Sequence, residues 1–162
     1  VPISISARGI ATLKGVAHPI ILYDGVCGLC NRFVQFVLKH DHAAQFRFAT
    51  LQGQVAASIL SRHNQNPSAL DTLYVLVQQP GSAGAESTEP LESLFARSDA
   101  VISVLRSLGG IWPSVALILR LIPLRIRDWG YNLVARHRYR IFGRFESCPL
   151  PSPETRGRFL DP

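Results

Sequence analysis

Cys27 and Cys30 stand two residues apart in the stretch ILYDGVCGLCNRFVQFV, with Asp24 three positions before the first of them. The thiolate, not the thiol, attacks disulfides and binds metals. A C-x-x-C that opens a helix favours that form. The first N–H groups of a helix lack intrahelical partners and its dipole end is positive, so Cys27 is expected to titrate below the ordinary thiol pKa of about 8.5. Cys30, three positions on, shares the helix face and lies within side-chain reach, so it can displace a partner held on Cys27. The spacing thus supplies a nucleophile, expected to be the accessible thiol, and a resolving thiol one turn deeper on an apolar stripe. Asp24 brings a carboxylate to the same place. It is expected to accept and return the proton of Cys30 as a general base. Its plainer role is to shape the Asp24-Gly25 turn or cap the helix.

Two other readings compete for the cysteines. Free cysteines are often buried and inert. Half a zinc site is the second, but zinc takes four ligands. Beyond the pair there are only Cys148 and five scattered histidines, His18, His40, His42, His63 and His137, so no metal site is expected. Cys148, in FESCPLP, is an additional thiol that could exchange with the pair or remain a spectator. Three cysteines in 162 residues do not make a disulfide-stapled secreted scaffold. At 47% hydrophobic and 17% charged residues the chain can build a core, which excludes a disordered protein.

The elements that must position these residues follow from periodicity. PIILYDG reads as a buried strand ended by Asp-Gly. From about Cys27 to His40 the apolar positions Cys30, Phe33, Val34, Val37 and Leu38 form the i, i+3, i+4, i+7, i+8 stripe of a helix. QFRFATL offers a second strand, and QGQVAASILSRHN a second helix stopped by Asn66-Pro67. DTLYVLVQQ is a third strand, PGSAGAESTEP a polar loop, and LESLFARS a fourth strand. SDAVISVLRSLGG is then a helix with Ser98 as its N-cap and Gly109-Gly110 at its end. The order β-α-β-α-β-β-α, with the C-x-x-C opening the first helix, is that of an α/β, thioredoxin-like core. Residues 1–17 read as a flexible tail, 18–110 as this core, and 111–162 as a basic, mainly helical extension packed on it.

The extension holds the charge. Between Arg120 and Arg144 lie seven arginines and one carboxylate, Asp128, a balance equal to the net charge of +6 for the whole chain. Arg136, Arg138 and Arg140, far from the cysteines in sequence, are expected to serve surface recognition rather than redox chemistry. The mixture of arginine and aromatics in RDWGYNLVARHRYRIFGRF also resembles single-stranded nucleic-acid surfaces, but nucleic acid is not the expected partner. WPSVALILRLIPLRIR keeps open a peripheral contact with a membrane surface. Its prolines and arginines leave it too interrupted to span one, so the protein is not expected to be transmembrane. The first residues lack the long apolar core of a signal peptide, and a cytoplasmic setting is expected, with import into an organelle left open.

YDGVCGLC resembles the D-G-x-C-x-x-C motif of the DCC-type family of thiol–disulfide oxidoreductases. ARSDAVISVLRSLGG, LIPLRIRDWGYNLVARHRYRIFGRFESCPLP and the closing RFL resemble that family's downstream segments in the same order, so the likeness covers roughly residues 19–160. It implies a thioredoxin-like fold, exchange with protein or small-molecule disulfides and dithiols, and Asp24, Cys27 and Cys30 as the active trio. No cofactor beyond the redox-active disulfide is expected. Gly28 and Leu29, between the cysteines, are candidate substrate contacts. Thioredoxins place a cis-proline just before the third strand. The nearest proline here, Pro67, is far upstream, so the docking edge falls to Asp71 or Thr72. The other function class is a thioredoxin-like binding module for protein, membrane surface or metal, without redox turnover.

Overall fold

The computed structural model describes residues 18–66, 72–79, 91–146 and 151–161. Residues 1–17 and 80–90, Pro67, Asp71 and Cys148 lie outside them. The first strand, β1 (Ile20–Tyr23), is buried at all four positions, as a strand covered on both faces must be. It pairs in parallel with β2 (Arg47–Thr50) and antiparallel with β3 (Tyr74–Gln79). β3 in turn pairs antiparallel with β4 (Leu91–Ala96), which gives the sheet order β2-β1-β3-β4.

Alternation along β1 sends its side chains to two cores. Ile21 and Tyr23 meet Val34 and Val37 of α1 (Gly28–His40) and Ala100 and Val104 of α3 (Arg97–Ser107). Ile20 and Leu22 meet Ala56, Ile59 and Leu60 of α2 (Gln54–Arg62) on the other face. This is a mixed α/β, thioredoxin-like arrangement. Because α1 is the crossover between parallel neighbours, it must start at the C-terminal end of β1, and that places the cysteines there.

Two further helices lie outside α1 and α3. α4 (Trp112–Leu121) has Pro113 in its first turn, buries Ala116 and sets Trp112 edge-on to Phe36 at 4.6 Å. Pro123 cannot continue a helix, and the chain turns there into α5 (Leu124–Phe142). α5 packs against α1 and α3 and ends at Gly143, whose φ of +78° suits only glycine without strain. Residues 151–161 then run beside β2. The Leu160 N–H donates to the Phe48 carbonyl at 2.8 Å, Phe159 stacks on Phe48 at 5.1 Å between centroids, and Arg158 pairs with the buried Asp41. That segment covers an edge strand that would otherwise be open to pairing.

One local expectation fails. Ser98 does not cap α3: Ala96 holds that position, with no side-chain bond. The helix begins at Arg97, two residues too early for Ser98. Its hydroxyl instead donates to Asp128 and accepts from Arg127 Nε at 2.9 Å, which ties α3 to α5.

Candidate redox site

Cys27 occupies the N-cap of α1 in extended conformation, and its sulfur accepts the Cys30 backbone N–H at 3.4 Å. Asn31 Nδ2 bonds the carbonyls of Gly25 and Cys27, at 2.8 and 3.0 Å, and fixes the turn that enters the helix. Both cysteines are free thiols. The Cys30 thiol donates to the Cys27 sulfur, and this is the largest influence holding Cys27 down to about 6. Burial opposes it; the backbone N–H groups of Cys30 and Leu29 and the positive charge of Arg138 support it. Cys30 is pushed upward, first because it is the donor to the Cys27 thiolate, then by burial and by repulsion from that thiolate. The two thiols are therefore unequal in the sense the spacing predicts: one ionised, one protonated.

Their exposure is the reverse of the expectation. Cys27 is 0% exposed, while Cys30 is half-buried. The cover over Cys27 comes from the end of α5. Gly28 N–H donates to the Gly143 carbonyl at 3.1 Å and Phe145 N–H to the Val26 carbonyl at 2.8 Å, so Cys27 and Arg144 face each other in a short antiparallel bridge. Periodicity in α1 could not reveal a strap that arrives from more than a hundred residues away.

Gly28, a candidate substrate contact, is buried against this strap. A Cβ there would sit 2.1 Å from the Phe142 carbonyl oxygen, which is backbone and cannot swing aside. Gly28→Ala is expected to lift the strap and destabilise the fold by about 1–3 kcal/mol, a fall in Tm of roughly 2–12 °C, with faster alkylation of Cys27. Thermal melts and iodoacetamide kinetics on the same sample check both effects.

Asp24 is 1% exposed. Its Oδ1 accepts from Val26 N–H at 3.2 Å and Gln52 Nε2 at 2.8 Å; its Oδ2 accepts from Arg138 Nη2 at 3.2 Å and from the Tyr139 hydroxyl. Gln52 also accepts the Gly25 N–H at 3.2 Å and so clamps both residues of the Asp-Gly turn. Asp24 meets Cys30 through its backbone N–H, which faces the Cys30 sulfur.

Arg138 is the clearest departure from the sequence reading. It was expected on the surface with Arg136 and Arg140. Those two are exposed, but Arg138 is 5% exposed, paired with Asp24, with its charge acting on both thiols. On α5 the position points inward, so distance in sequence misjudged it. Arg138, Tyr139 and Gln52 are the site residues that sequence reasoning missed. The available signal was Asp24 itself, because a buried carboxylate needs a cation and several donors.

Leu29 and Cys30 line an apolar cleft of about 300 Å³ with Phe33, Leu73, Val101, Gly130, Tyr131 and Val134. Burial pushes the Tyr131 phenol upward, so it stays neutral, and it accepts the Leu73 N–H at 2.9 Å just before β3. Thr72 lies on the other side of that point. It borders a pocket of about 410 Å³ with Arg97, Asn132, Ala135, Arg136, Arg138 and Tyr139. Among the described residues no three His, Cys, Asp or Glu side chains gather as a metal site requires, and no helix is long and apolar enough to cross a membrane.

A model of the DCC1-like thiol-disulfide oxidoreductase family matches residues 21–144, which contain the cysteines, Asp24 and the α5 residues that meet them. The chain is 32% identical over 149 residues to an uncharacterized protein of Bacillus subtilis, YuxK, covering 92% of this chain and 98% of that one. It is 36% identical over 133 residues to a chloroplastic DCC family protein of Arabidopsis thaliana, covering 82% of this chain and 70% of the other. No solved structure matches it.

Proposed function

The chain belongs to the DCC1-like thiol-disulfide oxidoreductase family, and from that premise we propose that it exchanges electrons with protein or small-molecule disulfides through a Cys27–Cys30 pair. The observation that carries the reading is the separation of the two thiols: Cys27 is drawn down to about 6 and Cys30 pushed up by the same S–H to S⁻ contact. Cys27 thiolate attacks one sulfur of the substrate; a mixed disulfide forms and the other substrate sulfur leaves as a thiolate. Cys30 then loses its proton and attacks Cys27. The Cys27–Cys30 bond closes, and the released thiolate takes up the proton. The substrate is reduced and the enzyme oxidised; the reverse sequence oxidises a dithiol. No cofactor beyond the redox-active disulfide takes part.

Asp24 is in this reading a positioning residue more than a proton carrier. Its oxygens already accept four hydrogen bonds, and its backbone N–H, not its carboxylate, addresses Cys30. Leu29 and the apolar cleft receive the substrate beside Cys30, and Thr72 borders its path. Attack at Cys27 requires the Gly143–Phe145 strap to lift. The setting we propose is the cytoplasm, or an organelle interior as in the chloroplastic relative.

Thiol counting before and after mild oxidation tests the reading. Oxidation is expected to consume Cys27 and Cys30 together and dithiothreitol to restore both. Stoichiometric zinc, with no reversible thiol loss, would instead favour the binding module. The reduction potential adds a pH signature. Below about 6 both reduced sulfurs carry protons; above it Cys27 does not. The potential should therefore fall by ~60 mV per pH unit on the acid side and by ~30 mV on the alkaline side, since a two-electron couple changes tenfold per ~30 mV. Equilibration with glutathione buffers across pH reads the break.

A further inference from the structure

We propose that the outer face of α4 and the start of α5 docks on an anionic lipid surface. α4 turns Trp112, Val115, Ala116 and Leu119 toward the core, yet its opposite face is also apolar, with Leu117 and Leu121 in water. Past Pro123, Ile126 and Trp129 of α5 are exposed apolar side chains as well; Leu121 and Trp129 are 78% and 68% exposed. Large apolar side chains exposed this closely along one stretch of chain are unusual on a protein that meets only water.

Charge selects the occupant. Arg120 and Arg125 are exposed within the patch, and neither is within ion-pair distance of a carboxylate among the described residues. Aliphatic side chains with a tryptophan and unpaired arginines are the composition that settles into the headgroup layer of an anionic bilayer. A nucleic-acid surface would offer the arginines their phosphates but leave the aliphatic residues in water. The inference stands apart from the redox reading and survives its failure.

Flotation of the full chain with phosphatidylcholine vesicles, with and without about 30% phosphatidylglycerol, tests it. The chain should bind the anionic vesicles and not the neutral ones, with a blue shift of tryptophan emission. Arg120→Gln/Arg125→Gln should weaken binding by roughly 30-fold. Leu121→Asp should abolish binding while thiol chemistry in solution stays unchanged, which shows that the variant is folded. Trp129→Phe should keep the binding and lose the blue shift. The proposal is overturned by equal binding to both vesicle types, by no binding, by preference for a single-stranded oligonucleotide, or by self-association that Leu121→Asp removes without any lipid binding.

Discussion

Cys30→Ser is expected to attack a disulfide substrate once and stop, held as a mixed disulfide on Cys27, while Cys27→Ser reduces exchange to the uncatalysed background. Serine cannot resolve the intermediate, but its hydroxyl still donates to the Cys27 thiolate and so keeps Cys27 acidic. Cys30→Ala removes that donor as well. Since the Cys30 thiol is the largest influence on Cys27, the alkylation midpoint should stay near about 6 in Cys30→Ser and climb toward the ordinary thiol value of about 8.5 in Cys30→Ala. Mass spectrometry of the trapped adduct and iodoacetamide rates against pH give both results. Alkylation of Cys27 should be slow for so acidic a thiol, because the sulfur is covered. A faster and more acidic Cys30 would reverse the roles and sink the mechanism.

Arg138→Leu should be strongly destabilising where α5 packs over the redox site, although sequence alone groups it with two exposed arginines. It leaves the Asp24 carboxylate buried without its cation, and breaking a buried pair in this way costs about 3–5 kcal/mol. At this chain length that lowers Tm by roughly 6–20 °C. Asp24→Asn in the same chain should recover part of the loss, and a double-mutant cycle measures the coupling. The Cys27 midpoint should also rise, because the Arg138 charge favours the thiolate. Arg136→Gln and Arg140→Gln, both exposed, should each change stability by less than about 0.5 kcal/mol. Equal effects from all three would return Arg138 to the surface.

What could be read in the sequence was local. The stripe Cys30, Phe33, Val34, Val37, Leu38 has the helical period, and β1 is a β-branched and leucine run, so both elements stand where the pattern put them. The β-α-β order places the ends of parallel neighbours together, Tyr23 opposite Thr50. That same register carries Gln52 to Asp24, an inference the sequence allowed but local pattern did not prompt. The rest required tertiary contacts. Nothing in the chemistry of the Asp24-Gly25 turn or in helix periodicity tells that Phe142–Phe145 will lie on Gly28, or which arginine of RHRYR points inward. Ser98 failed for a related reason: it could cap α3 only if the backbone entered the helix two residues later than it does here.

The Asp24–Arg138 contact joins residues 114 positions apart. At synthesis rates of about 5–20 residues per second, on the order of ten seconds separate the two during translation. Through that interval the C-x-x-C helix has neither its cation nor the strap over Cys27. The newborn thiols are uncovered, but Cys27 lacks part of the charge that makes it reactive. The cover and the Arg138 share of the activation arrive together, on α5 and the residues just past its end, so the growing chain does not carry a fully sharpened nucleophile past the oxidants and thiols it meets before folding is complete.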